Sequence, residues 1–206
     1  FWYSVIRILD NVIEDTTEYA ISGNKWYDTR ISGNKLNNCA SGIRILLPTI
    51  TSQYTQDANG NPTGRINKTK HHVITDNTIT NISKNHAIQV YGRKGYQTID
   101  DVTIANNVID NVVERHGIHV SDVYNFTISS NVLDGTGHHG ILVTRSMYGS
   151  VMANVLRGIK GNGVRVEEGG CNNDTVAKNI LKDVGFSGIS VSGESRRVRV
   201  FFNTLV

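Results

Sequence analysis

Residues 128–143 read ISSNVLDGTGHHGILV. Ile128 stands three residues before Asn131 and Leu133 two after it, and Gly140-Ile141-Leu142-Val143 follows across a bend of Asp, Gly and His. Apolar residues alternate for only three or four positions before turn-forming residues interrupt them, so each run is a short strand and each interruption a turn. The same pattern recurs along the whole chain. Asn11, Asn34, Asn77, Asn107, Asn131, Asn154, Asn179 and Asn203 are each followed two residues later by Ile or Leu and preceded three residues earlier by Ile or Val. A third run of the form small–β-branched–x–β-branched comes nine or ten residues after the Asn; its clearest copies begin at Gly42, Gly117, Gly140, Gly163 and Gly188. Most steps between successive Asn are 23 to 25 residues, with 30 before Asn107 and 43 before Asn77.

A unit that short holds about three strands and buries too little apolar surface to fold alone, so successive units must stack, each strand pairing with its copy one unit on. The prediction is an all-β single domain over 1–206, a parallel β-helix of about eight coils and about 38 Å in length at the spacing of hydrogen-bonded strands. Composition agrees: among 206 residues there are 22 Asn, 22 Val and 22 Ile against 9 Leu, a β-branched and turn-forming excess. With 20 Gly, 2 Pro and 19% charged residues the chain is not a collagen, a disordered tail or a coiled coil. A net charge of +3 implies no nucleic-acid partner, and no apolar run reaches membrane-spanning length. The chain starts and stops in mid-repeat, from which a longer native protein is expected. Cys39 and Cys171 fall several coils apart and are not expected to pair. The Asn column is read as structural, with Asn taking a left-handed bend at the turn and its amide bonding from coil to coil.

With these repeats the chain resembles the right-handed parallel β-helix superfamily over essentially its full length. The resemblance implies the right hand, and it implies a family of polysaccharide lyases, mannuronan C-5 epimerases, glycoside hydrolases, phage tailspikes and adhesins working outside the cell or at its surface. The segment Arg115-His116-Gly117-Ile118-His119-Val120-Ser121-Asp122 is similar to the active coil of the epimerases, which typically reads Tyr-Gly-Phe-Asp-Pro-His-acid. The family's Tyr falls on His116, its Asp on His119, its His on Ser121 and its acid on Asp122; Gly117 and Asp122 match in kind, and the Asp-Pro-His triplet is absent.

Function is sought where the repeat is broken or its outward positions are unusual. An insertion at 49–70 and extra length at Gly92–Tyr96 extend two adjacent coils at one turn, as a wall beside one face. On that face the outward residues of the third strand are Ser22, Arg44, Gln89, His119, Leu142, Arg165 and Ser190, followed two positions on by Leu46, Tyr91, Ser121, Thr144 and Glu167. Just before the strand, His86, His116 and His139 stack on consecutive coils. Imidazoles so close cannot all be charged, so some titrate low. A histidine ladder and a substrate groove are both open readings. Parallel side chains do not converge, so no metal site and no cofactor is expected.

Such a groove suits proton abstraction beside a carboxylate, where a cation neutralises the carboxylate and a base takes the C-5 proton of a uronate. The candidate catalytic residues are His119, His116 and Tyr91; the candidate substrate-binding residues are Arg44, Gln89, Arg93, Arg145, Arg165, His139 and Asp122. The expected partner is an acidic polysaccharide, processed by a lyase or an epimerase. The alternative is a noncatalytic glycan-binding or adhesive β-helix or a tailspike fragment, with Tyr91, Tyr96, Tyr124 and Tyr148 as aromatic platforms. Oligomeric state is not encoded in the pattern.

Overall fold

A computed structural model describes residues 3–47, 69–93, 99–168 and 170–206. Within them the chain winds through three parallel sheets and contains no helix. The first sheet has eight strands, from Tyr3–Leu9 to Arg199–Phe201; the second eight, from Val12–Glu14 to Thr204–Leu205; the third seven, from Tyr19–Asn24 to Ile189–Val191. Each strand pairs in parallel with the strand three places on, so every coil contributes one strand to each sheet.

The register is the one the repeat demands. Ile31, Ile74, Ile104, Ile128, Val151 and Val176 are direct partners in the first sheet. Leu36, Ile79, Ile109, Leu133, Leu156 and Leu181 are partners in the second, and Ile43, Ile88, Ile118, Ile141 and Val164 in the third. All of them are buried. One apolar column per sheet faces inward, which is how a unit with no core of its own obtains one from its neighbours.

The Asn column is a buried ladder. Asn131 Oδ1 accepts the backbone N–H of Asn107 (3.0 Å) and its Nδ2–H (3.0 Å), while Asn131 Nδ2 donates to Ile104 O (2.9 Å) and Asn154 Oδ1 (3.0 Å). One expectation is corrected here, because the left-handed bend falls on the residue before each Asn: Asp10, Gly33, Asp76, Asn106, Ser130, Ala153, Lys178 and Phe202 all have positive φ. Bending one position early turns the Asn side chain inward, where only complete hydrogen bonding makes a buried amide tolerable.

Of the expected excursions, residues 48–68 and 94–98 lie outside the described residues, so the wall they were read as forming, and Tyr96 with it, lies outside too. Thr69 and Lys70, read as the end of the insertion, are already in the strand Thr69–Thr75. Cys39 and Cys171 are both buried and free.

Candidate functional site

The third sheet aligns Ser22, Arg44, Gln89, His119, Leu142, Arg165 and Ser190 as its outward column. Immediately before these strands the histidines form a second ladder. The rings of His86 and His116 stack at 4.9 Å and those of His116 and His139 at 5.0 Å, nearly parallel. Each Nδ1 accepts the backbone N–H one coil on: His116 N–H to His86 (3.4 Å), His139 N–H to His116 (3.1 Å), and Asn162 N–H to His139 (2.9 Å). Asn162 continues the column by accepting from Ser187 N–H at 3.0 Å. Histidine here does what asparagine does in the other ladder.

That bonding fixes the proton. An Nδ1 that accepts carries no hydrogen, so a neutral ring in the ladder holds it on Nε2. Burial pushes His86 and His139 down to about 4, and burial together with like rings on neighbouring coils pushes His116 down as well. The expectation that stacked imidazoles titrate low is met. His86, His116 and His119, and likewise His116, His138 and His139, bring ring nitrogens within 4.8 Å of one another. A metal-bound histidine, however, donates from its second nitrogen, whereas His86, His116 and His139 accept backbone N–H there. The ladder therefore presents Nε2–H donors and is a poor ligand set.

Tyr91 stands against the ladder. Its hydroxyl lies 3.3 Å from His86 Nε2 and in short contact with His119 Nδ1. His86 Nε2 is a donor, so the phenol oxygen accepts from it and the phenol proton points to His119 Nδ1. His119 then carries its own proton on Nε2, which faces Thr144 Oγ1 at 3.3 Å. The result is a directed chain: His86 Nε2–H to Tyr91 O–H to His119 Nδ1, and His119 Nε2–H to Thr144. Burial raises Tyr91 to about 12 and holds His119 well below the usual imidazole value, so both groups are neutral.

Tyr91 and His119 line a cleft of about 320 Å³ with Asp122, Thr144, Arg145 and Glu167. Asp122 is buried, and its carboxylate accepts from Arg145 Nε at 3.1 Å and from Arg145 Nη2 at 2.9 Å, while Ser121 Oγ accepts from the same guanidinium at 2.7 Å. Arg145 Nη1 contacts Glu168, and Arg165 is paired with Glu167 at 2.6 Å. Asp122, Arg145 and Glu168 are each the residue after a third-sheet strand on successive coils, all with positive φ. The next coil has Gly193 there, the residue this conformation suits. Arg and Glu at such a bend cost about 1–2 kcal/mol each.

Of the candidate residues, His116, His119 and Tyr91 come together in one cluster, with His139 one coil further up the ladder. Asp122 and Arg145 form one wall of the cleft, and Arg165 lies on the next coil against Glu167. Gln89 is buried and accepts from Tyr19 Oη at 3.4 Å. Arg44 sits over the Tyr19 ring, 3.7 Å from its centre, and donates to Ser22, so it lies outside the residues lining the cleft. Arg93 is half-buried two residues beyond Tyr91. Glu168 is read from sequence, with Glu167, as a possible hydrolytic carboxylate, and His86 as a member of the histidine stack; Thr144 is read only as an outward position of the third strand. The available signal was position: Thr144 and Glu168 lie one coil on from His119 and Arg145, and His86 five residues before Tyr91.

Residues 57–205 match the family model described as a right handed beta helix region. The chain belongs to that family. No sequence among curated proteins matches it. Among solved structures it is similar to the periplasmic alginate epimerase AlgG, with a TM-score of 0.52 and 14% identity over 97% of this chain and 50% of that one. It is also similar to the enzymatically active domain of bacteriophage CBA120 tailspike protein 2, with a TM-score of 0.43 and 12% identity over 97% of this chain and 35% of that one. The chain thus spans about half the length of AlgG.

Proposed function

We propose that this right-handed β-helix chain acts on a uronate-containing polysaccharide at the third-sheet cleft, abstracting the C-5 proton as a lyase or an epimerase. The observation that carries the reading is the directed chain through Tyr91. A phenol at about 12 is too weak an acid to ionise and wait as a base. It acts instead as a relay: its oxygen takes the C-5 proton as its own proton passes to His119 Nδ1, which becomes an imidazolium held through Nε2–H by Thr144. The electron pair of the broken C–H bond moves onto the substrate carboxylate, which needs a cation beside it. Arg145 supplies that cation, braced by buried Asp122, and the substrate carboxylate displaces the half-exposed Glu168 from it. Loss of the 4-linked oxygen, which takes its proton from the His119 imidazolium through Tyr91, then gives an unsaturated product, whereas protonation of C-5 by water on the other face, with His119 releasing its proton to solvent, gives the epimer. AlgG, an alginate epimerase, agrees in substrate class. An extracellular or cell-surface setting suits such a substrate.

A binding-only reading is favoured by one observation: Arg145 and Arg165 already face Asp122, Glu167 and Glu168, so the cleft is not strongly electropositive. Incubation with alginate, pectate and glycosaminoglycans separates the two readings, following absorbance of unsaturated uronate and C-5 proton exchange by NMR in heavy water. Turnover that falls about 100-fold or more in Tyr91→Phe supports the relay. Silence across the panel, or an unchanged rate in Tyr91→Phe, refutes it.

A further inference from the structure

The outer face of the first sheet, around the corner from the cleft, has a chemistry of its own. Thr103, Thr127, Ser150, Thr175 and Arg199 are direct partners there, the first four with a buried residue on either side, so these coils present one hydroxyl each and the column ends in a guanidinium. Beside this floor runs a ridge of Asp101, Asn125, Tyr148, Asn173 and Arg197, brought into line by the pairing of their neighbours. All five have positive φ, from 52° to 59°, which bends the backbone at that column and sets the ridge off from the floor. Between ridge and floor lies a groove of about 330 Å³, and a further hollow lined by Asn173, Arg197 and Arg199 continues it.

Three features give the groove a direction. Tyr148 is 50% exposed, and its ring packs against Tyr124 with centres 4.9 Å apart, an aromatic surface of the width of a sugar ring. At one end Asp101 is occupied by His71 at 2.6 Å. At the other, Arg196, Arg197 and Arg199 are all exposed, and among the described residues none of them forms an ion pair; the Arg199 guanidinium donates to Thr175 Oγ1 at 3.3 Å. The cleft is the reverse case, where the guanidiniums of Arg145 and Arg165 are matched by carboxylates.

We propose that this groove is a second glycan-binding site, separate from the cleft, which takes an acidic oligosaccharide. One pyranose ring packs on Tyr148 with its hydroxyls on Asn125, Thr127 and Ser150, and the next sugar along the groove lies over Thr175 with its carboxylate or sulfate held between Arg197 and Arg199. A single aromatic pair and a neutral hydroxyl floor suit a sugar chain better than nucleic acid, which wants a longer basic track. The site shares with the proposed function the acidic-glycan class of ligand, and it stands without the cleft chemistry.

The test is titration of the full chain with short oligouronates and, in parallel, sulfated oligosaccharides, followed by amide chemical shifts and calorimetry. Shifts centred on Tyr148, Ser150, Thr175 and Arg199 are expected, with binding that weakens as salt rises. Arg197→Ser and Arg199→Ser each raise Kd about tenfold, and Tyr148→Ala weakens binding to both ligand classes; these side chains are exposed, and an unchanged melting temperature confirms an intact fold. Binding by either class supports the site, and the tighter one names the anion. Shifts that avoid the first sheet, indifference to both arginine substitutions, or equal affinity for an oligonucleotide of the same charge overturns it. First-sheet shifts without turnover uphold this site while the cleft reading fails, and turnover without such shifts does the opposite.

Discussion

Replacing Asp174 by Asn removes a carboxylate that the fold buries, unlike Asp122 with its Arg145, with no ion-pair partner among the described residues. Pairing of Ser150 with Thr175 and of Thr127 with Ser150 places Asp174 directly over Gly149 and Phe126 in the interior of the first sheet. Its Oδ1 accepts Gly149 N–H at 2.7 Å, its Oδ2 has no hydrogen-bond partner among the described residues, and the residue is only 2% exposed. Burial raises the carboxyl from 3.8 to about 7. A native pKa above the unfolded one means that the folded state binds the extra proton. The protonated core is therefore at full stability below about pH 4, and stability is lost as pH rises from there to about 7. A rise of about three units is worth about 4 kcal/mol at pH 8. Asn keeps the oxygen for Gly149 N–H and carries no charge at any pH. The variant is expected to match the parent near pH 4 and to exceed it at pH 8 by about 4 kcal/mol, or roughly 10 °C in a chain of this size. Urea denaturation of both proteins at pH 4, 5.5 and 8 measures the difference, in which titrations common to the pair cancel. A pH-independent difference, or a variant less stable at pH 8, would refute the burial argument.

Asn131→Ala opens the middle of the ladder, removing the Asn131 partner of Asn107 N–H and of Ile104 O, while Asn107 Nδ2 keeps Ile74 O and Ala105 O; at about 1–3 kcal/mol for each orphaned group, a loss of a few kcal/mol is expected in denaturation, with Asn203→Ala at the partly exposed end of the ladder costing far less. Gly137→Ala sets a Cβ 1.8 Å from the Val113 carbonyl oxygen, so the coils must part and the melting temperature drops sharply. Gly135→Ala, at φ 71° but with 3.8 Å of room, costs only about 1–2 kcal/mol of backbone strain. Equal losses in the two glycine variants would show that contact between coils does not set the tolerance.

The pairing of all three sheets is legible in the sequence because a β-helix repeats its constraints: the residue that must be Ile or Leu in one coil must be so in the next, and eight coils expose the period. The histidine stack is legible for the same reason, since His86, His116 and His139 hold one register. What a column does not reveal is direction within it. Asn11 and its copies mark the turn, yet the left-handed residue is the one before, where Asp, Asn, Ser, Ala, Lys and Phe all occur and leave no signature. Gln89 and Leu142 occupy outward positions and are nevertheless buried by neighbours along the face. Asp174 reads as one more polar turn residue, because its burial depends on Phe126 filling the space over Gly149, two coils away in the chain.

The ion pairs show where such a reading ends and the structure adds to it. Asp122 and Arg145 are 23 residues apart, one coil, and so are Asp134 and Arg157. In a solenoid any charged position faces its copy across about 4.8 Å, and the sequence of one column decides whether those copies repel or pair. On the third sheet Asp122, Arg145 and Glu168 alternate in sign at one corner, which ties the guanidinium down and holds the cleft near neutrality. On the first sheet the last described coil ends in Arg196, Arg197 and Arg199 above Asn172, Asn173 and Thr175, with no alternating acid to meet them. In the proposed readings one scaffold separates two tasks by column: a corner where opposite charges brace one another around neutral Tyr91 and His119, and a face whose arginines have no ion-pair partner among the described residues and would meet an anionic chain. The substitution that moves a property from one to the other is Glu168→Gln, which removes half-exposed Glu168 from Arg145 and leaves buried Asp122 in place. It frees the guanidinium for a substrate carboxylate, so it is expected to lower KM for an acidic glycan at the cleft. A raised KM would mean that Glu168 itself holds the sugar.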